Sequence, residues 1–433
     1  MNAAIKPVQT HYAALVIGGG QAGLSASYFL KAKGIDHLVF EKHGIAHEWK
    51  NRRWDSFCLV TPNWQCTLPN WPYAGPDPKG FMLKDEIVAY VEGFAASFNP
   101  PLLEGVSVTK LSRDAAGLYT VVTNIGSYTA DQVIVAVGGY HIPTVPRMAE
   151  RLPAHIKQLH APDYRNAAAL PPGAVLVVGT GQSGCQIAED LHLAGRQVHL
   201  CVGGAPRAPR QYRGKDAVEW LHAMGYYDIP VHEHPNREKV RAKANHYLTG
   251  RDGGREIDLR KFASEGMQLH GRLRAIADGV LHFDKDLKQN LDHADAVAQS
   301  IKNTIDSYIS SHQISAPVEP PYVPCWQPPE NAAPLDLAAA GIGSIIWCIG
   351  YRADFSWIEV PVFDGRGYPA HDRGVTTVPG LYFLGLPWLY TWGSGRFSGI
   401  ARDASHVTEV LDSRQRAPNT LPLSELNELA MGA

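Results

Sequence analysis

Apolar and polar positions alternate along the chain in blocks that read as strand, turn and helix. Residues 13–17, AALVI, are an unbroken apolar run, which predicts a strand buried on both faces of a parallel sheet. After a glycine-rich turn, QAGLSASYFLKAKG (21–34) predicts a helix closed by Gly34, and HLVFEK (37–42) a second strand carrying Glu41 near its end. The block recurs at a constant offset of 161 positions. Gly179, Gly181 and Gly184 stand for Gly18, Gly20 and Gly23, Gly195 stands for Gly34, and the strand QVHLCV stands for DHLVFE. Further on, Leu287, Leu291, Ala294, Val297, Ile301, Ile305 and Tyr308 recur every three or four residues and predict an amphipathic helix of about seven turns. Its apolar face either packs across its own domain or meets a second subunit in a homodimer. ASEGMQLHGRLRAI and DGVLHFD, upstream of that helix, read as strands completing a second sheet, and the Pro-rich residues 317–334 as an extended connector. The fold class is therefore α/β, with two Rossmann-like dinucleotide-binding domains.

The repeated loops carry the chemistry. Gly18, Gly20 and Gly23 permit a tight turn, a close approach of backbone to pyrophosphate, and close packing of helix on strand. Gln21 and Ala22 open a helix whose unpaired N–H groups and positive dipole end suit phosphate. Glu41, 21 residues after Gly20, is placed to accept hydrogen bonds from a ribose, with Lys42 beside it. Gly179, Gly181, Gln182, Ser183 and Gly184 offer a second cradle, but Val202 occupies the place of Glu41 and accepts nothing from a ribose. Arg207, Arg210, Arg213 and Lys215 follow; such a cluster suits a 2′-phosphate, the other reading being a solvated basic loop. One dinucleotide gripped by a carboxylate and one phosphorylated point to FAD with NADPH, NADH remaining possible.

Composition narrows the partners. The 433 residues suggest two or three domains, and 45% hydrophobic with 19% charged residues is ordinary for a globular chain. A formal charge of −2 gives no electrostatic case for nucleic acid or an anionic membrane. No apolar run reaches the roughly 18 residues of a spanning helix, and the first residues lack the pattern of a signal peptide. Six scattered cysteines without a CxxC pair read as reduced thiols, so a cytoplasmic location is expected. His232 and His234 are close to metal-ligand spacing but have no third ligand near them, so no metal site is expected.

Further stretches resemble the flavin-dependent monooxygenases. EWKNRRWDSFCLVTP looks like the family segment beside the flavin, carried here by Trp49, Arg52, Asp55, Ser56, Leu59, Thr61 and Pro62. VIVAVGGYHIPTVP, with Gly138, and IIWCIGYRADFSWI, with Gly350 and Tyr351, are similar to the family's two domain crossings. Residues 380–411, with Gly385, Ser398 and Gly399, resemble the segment that closes the flavin site. The resemblance also assigns Val108 to the cofactor. The family fingerprint before the second loop is half present: His160, Tyr164 and Arg165 are kept, while Ala154 and Ile156 replace Phe and Gly. Tyr164 in place of a Trp-Pro pair argues against the Baeyer–Villiger branch. Gly203 stands where the family commonly has Arg, and the whole chain also looks like a bacterial subfamily encoded beside nitrilases.

What the resemblance implies is an enzyme: an NAD(P)H-consuming monooxygenase passing one oxygen atom of O2, through a C4a-hydroperoxyflavin, to a small nitrogen- or sulfur-containing substrate. Asn63 and Asn70 are candidate donors at the flavin, or turn residues. His160 is a catalytic base or a satisfied structural histidine. Trp392 either lines the flavin pocket or belongs to the core. The rival readings are an oxidase or electron-transfer flavoprotein without oxygenation, and a nucleotide-binding redox sensor. The expected layout places the flavin domain at 1–168 and 341–433, with the NAD(P)H domain inserted at 169–340.

Overall fold

The computed structural model describes residues 10–330 and 333–416; the expected outer ends of the flavin domain and two residues of the Pro-rich connector lie outside the described residues. β1 (His11–Ile17), α1 (Gln21–Ala32) and β2 (His37–Phe40) form where the apolar blocks place them, with β1 and β2 parallel. β3 (Gly126–Val135) lies parallel on the other side of β1 and is reached through antiparallel strands at Val108–Arg113 and Tyr119–Thr123. Ala14, Leu15 and Val16 have no exposed surface. Ala14 and Val16 enter one apolar cluster, with residues of α1, and Leu15 enters another, with the 108–135 strands. Both faces of β1 are thus covered, which is why it reads as a continuous apolar run.

The second unit repeats the first. β4 (Lys157–His160), β5 (Ala174–Val178), α2 (Gln182–Leu193), β6 (Val198–Cys201) and β7 (Gln268–His270) follow, then α3 (Leu287–Ser311), β8 (Ile342–Trp347), β9 (Leu381–Phe383) and α4 (Ile400–Arg416). The second sheet is parallel throughout, in the order β4-β8-β5-β6-β7. β9 returns to the first sheet beside β3. α3 has the expected length, and its Ile305 packs within its own unit against Tyr212, Ala217 and Trp220.

Two expectations shift. β4 and β8 belong to the second sheet yet lie outside 169–340, so the inserted unit is wider than the Pro171-Pro172 pair suggested. The two crossings mark its limits, because Ile142–Pro143 and Tyr351–Arg352 pair as a short antiparallel ribbon. In addition, only residues 268–270 complete the second sheet. The 273–283 hairpin joins Leu335–Asp336 in a separate antiparallel sheet. Among the described residues, no helix is long and apolar enough to cross a membrane.

Candidate dinucleotide sites

The two glycine loops have the same geometry. Gly18 and Gly179 adopt φ of 107° and 106°, a region L side chains avoid, and a Cβ on either would meet a backbone carbonyl at 2.7 Å, that of Ala136 or Cys348. Gly23 and Gly184 lie so close to the carbonyls of Gly18 and Gly179 that no Cβ fits. Gly20 and Gly181 differ from these: both are extended, at φ/ψ of −74°/−174° and −63°/175°, and a Cβ on either would find open space out to 4 Å. Each is the N-cap of its helix, with no side-chain cap on the first turn. Two uncapped helix starts, each beneath an open space, suit a pyrophosphate.

The flanking side chains separate the two loops. Glu41 accepts Gly19 N–H at 2.7 Å through Oε2 and His43 N–H at 2.9 Å through Oε1, which fixes the carboxylate at the end of β2 and leaves lone pairs for ribose hydroxyls. In the repeat the bond is reversed. Thr180 replaces Gly19 in the loop, and its hydroxyl accepts from Gly203 N–H at 2.9 Å, while Val202 is buried and Asn290 Nδ2 donates to its carbonyl. Gln21 and Gln182 both reach a distant backbone: Gln21 Nε2 donates to Gly395 at 2.7 Å, and Gln182 exchanges bonds with Leu248. Ala22 meets Gly385, where a Cβ would lie 2.7 Å from that of Ala22. Ser183 is part-buried in the first turn of α2, and Lys42 is exposed beyond Glu41.

The expectation of a free cation at Arg207 is corrected. Its guanidinium is buried and holds Glu256 at 2.8 Å and Asp295 at 2.9 Å, with Tyr322 beneath it. Arg210 holds Asp216 at 2.6 Å, and Arg213 holds Asp306 at 2.8 Å. Asp216 is local, but Glu256 and, on α3, Asp295 and Asp306 are distant in sequence, so most of the local surplus of positive charge is neutralised from afar.

Other site residues resolve as follows. Asn63 is buried and spends its amide on Asp77 O and Met82 N, while exposed Asn70 takes φ of 51° in the turn between Thr67–Leu68 and Trp71–Pro72. Asn70 sits in a turn, while the Asn63 side chain ties the short helical segment 63–65 to residues 77–82. Trp49 stacks on Phe397 at 5.7 Å, beside Ser398 and Gly399, and Ser398 Oγ has no hydrogen-bond partner. Gly393 and Gly399 touch backbone to backbone. Trp392 faces Tyr227 of the inserted unit at 4.5 Å. Arg52 pairs with Asp163 at 3.1 Å on the surface. Thr61 follows Val60, whose carbonyl accepts from Arg210, and Val108 starts its strand two residues after Val106, which bonds Glu41 O. Gly138 and Gly350, at φ of 74° and 95°, have open space above them at the two crossings. His160 is buried with its ring 5.0 Å from that of Tyr351, and burial pulls its pKa down while a backbone hydrogen bond at Gly350 acts against that shift.

Sequence reasoning missed three groups. Asp190 on α2 accepts from Tyr164 Oη at 2.6 Å, from Arg251 Nη2 at 2.5 Å and from Ser56 Oγ. Arg53, not Arg52, turns inward over Trp49 at 5.0 Å, and Arg396 lies over Trp392 at 4.1 Å. Only the pair of adjacent arginines in NRRW and the glycine setting of Arg396 hinted at them. His234 packs on Trp388 while His232 is exposed, and no group of three metal-ligating side chains occurs among the described residues. Cys58, Cys66 and Cys348 are buried, which pushes each thiol up to about 12, and Cys185 rises too.

Comparison with known proteins agrees with this arrangement. The family described as pyridine nucleotide-disulphide oxidoreductase matches residues 15–296. A CzcO-like uncharacterized oxidoreductase of Geobacillus kaustophilus is 33% identical over 92% of this chain and 98% of its own. A probable indole-3-pyruvate monooxygenase of Arabidopsis thaliana, YUCCA3, is 31% identical over 50% of this chain and 52% of its own. In fold, a flavin-containing monooxygenase from Stenotrophomonas maltophilia superposes with a TM-score of 0.63 at 18% identity, covering 94% of this chain and 100% of that one. A bacillithiol disulfide reductase from Staphylococcus aureus gives 0.58 at 15% identity, covering 92% and 99%.

Proposed function

Since the chain belongs to the pyridine nucleotide-disulphide oxidoreductase family and is flavin monooxygenase-like, we propose that it transfers one oxygen atom of O2 to a small nitrogen- or sulfur-containing molecule, using NADPH. The family uses FAD and NADP. The observation that carries the reading is the duplicated cradle: two uncapped helix starts under open space at Gly20 and Gly181, only the first flanked by a ribose-binding carboxylate. FAD fits the Glu41 side and the nicotinamide dinucleotide the Thr180 side. Bound FAD would supply hydride acceptance and oxygen activation.

The chain's own residues bind, orient and exclude water. Glu41 and the two helix starts fix the cofactors. Trp392 meets Tyr227 of the inserted unit, and Trp49 stacks on Phe397; these rings would keep water from a bound flavin. Dithiol chemistry is disfavoured, because the buried thiols resist forming the thiolate that disulfide exchange requires. With Arg207 engaged by carboxylates and Gly203 lacking a side chain, we infer that NADH also serves, with only a modest preference for NADPH. Among substrates, indole-3-pyruvate, named for the plant relatives, is one candidate.

The test is to follow NADPH oxidation by the FAD-loaded protein and assay hydrogen peroxide, with and without amines, thioethers, indoles and nitrile-derived compounds. Acceleration by a substrate, with less peroxide recovered and an oxygenated product, is the expected result. Full recovery of peroxide with every compound would make the protein an oxidase, the reading that Ala154 and Ile156 in the fingerprint favour.

A further inference from the structure

We propose that Arg53 and Arg396 form an oxyanion-binding site in the cleft between the two dinucleotide units, which takes a carboxylate or a phosphate. Arg207, Arg210, Arg251, Arg255 and Arg260 each hold a carboxylate within 3 Å. Arg53 and Arg396 hold none among the described residues. Glu48 acts on Arg53 only at a distance. Both guanidiniums are part-buried, and burial pulls both pKa values down. A cation that has lost water without gaining a counter-charge is costly, so folded proteins rarely keep one without a use.

The donors left over are numerous. A guanidinium carries five N–H groups. Arg53 commits one, to Arg52 O at 2.9 Å, and Arg396 commits two, to Asn245 Oδ1 at 3.0 Å and to Trp392 O. Aromatic rings lie against each guanidinium: Trp49 at 5.0 Å and Phe57 at 5.6 Å for Arg53, and Trp392 at 4.1 Å for Arg396. The two arginines share one wall, since Trp49 stacks on Phe397, the residue after Arg396.

The location is the gap between the crossings. Tyr140, in the loop after Gly138, is a charge neighbour of both guanidiniums, and its ring lies 5.6 Å from that of Tyr351, next to Gly350. Two guanidinium forks with free N–H groups suit an oxyanion, which each can bind bidentately. The oxyanion is either the carboxylate of an organic acid or a phosphate of the nicotinamide dinucleotide. The site rests on the placement of the two dinucleotides proposed above.

The experiment uses FAD-loaded protein with Arg53→Gln, Arg396→Gln and, keeping the charge, Arg53→Lys. Three affinities are read from the flavin spectrum: for NADP+, for indole-3-acetate, and for neutral indole. A loss of at least tenfold for indole-3-acetate alone in both Gln variants, smaller in Arg53→Lys, assigns the site to a carboxylate. A tenfold loss for NADP+ alone assigns it to a dinucleotide phosphate. Changes under twofold for both anions, or an equal loss for neutral indole, overturn the proposal. Circular dichroism and flavin content establish that each variant is folded, and a Gln variant that fails to fold leaves the decision to Arg53→Lys against wild type. Wild-type protein that ignores NADP+ and is not reduced by NADPH would refute the two-dinucleotide reading instead, whatever the variants do.

Discussion

Replacing Gly181 by Val separates binding from folding within one loop. Gly181 is extended, at φ −63° and ψ 175°, with nothing within 4 Å of a Cβ, so the backbone accepts a side chain there and its Cβ meets no neighbour. It does fill the space over the first turn of α2, where phosphate oxygens would meet backbone N–H groups. A hydrogen bond to a charged group contributes about 1.5–3 kcal/mol, so losing two costs about 3–6 kcal/mol, or roughly a hundredfold to ten-thousandfold in affinity. Folding should change by no more than about 1 kcal/mol, the scale of an N-cap substitution. The assay is anaerobic stopped-flow reduction of the flavin by NADPH, with dithionite as the reductant that needs no nucleotide site. The expected protein is yellow, melts like wild type, bleaches with dithionite and reduces at least a hundredfold more slowly at subsaturating NADPH. Normal reduction by NADPH would refute the second cradle. Loss of the flavin would show that the loops are not independent. Gly184→Ala, in the same loop, should give the opposite phenotype, because its Cβ collides with the Gly179 carbonyl and α2 must move.

Glu41→Gln should weaken FAD retention tenfold to a hundredfold, measured by dialysis and flavin fluorescence, since one anionic acceptor beside Gly19 and His43 becomes neutral. Asp190→Ala should destabilise the protein by about 3–5 kcal/mol in denaturant unfolding, because it strands the buried Tyr164 hydroxyl and the Arg251 guanidinium; an effect below about 1 kcal/mol would mean that the network is dispensable. Asp403, in the first turn of α4, is raised by burial from 3.8 to about 6. Below pH 3.8 it is protonated whether folded or unfolded and costs nothing. From there to pH 6 only the unfolded chain releases its proton, so stability falls, by about 3 kcal/mol in all. Asp403→Asn should therefore raise the thermal midpoint at pH 8 and leave it unchanged near pH 4; equal gains at both would disprove the titration argument.

The parts of this protein written locally were legible in its sequence. A strand, a glycine-rich turn, a helix and the carboxylate proposed for a ribose fall within about thirty residues, and their period and spacing follow from backbone geometry alone. The repeat at an offset of 161 was visible for the same reason, down to Val202 in place of Glu41. So was α3, whose apolar face repeats every three or four residues.

What tertiary structure decided was the partner of each charge and the limits of each unit. Arg207 looked free because its carboxylates lie 49 or more positions away, in Glu256 and on α3. Asp190 gave no sign of its role, since Ser56 is 134 positions from it and Arg251 is 61. The Pro171-Pro172 pair resembled a boundary, yet β4 precedes it and β8 follows at the far end of the insertion, both in one sheet. Arg53 and Arg52 are neighbours in sequence, but one turns inward over Trp49 and the other meets Asp163 at the surface. Hydrophobic period reports which face of an element is buried. The counter-ion a charge meets depends on where the chain returns, and that is set by the packing of whole units.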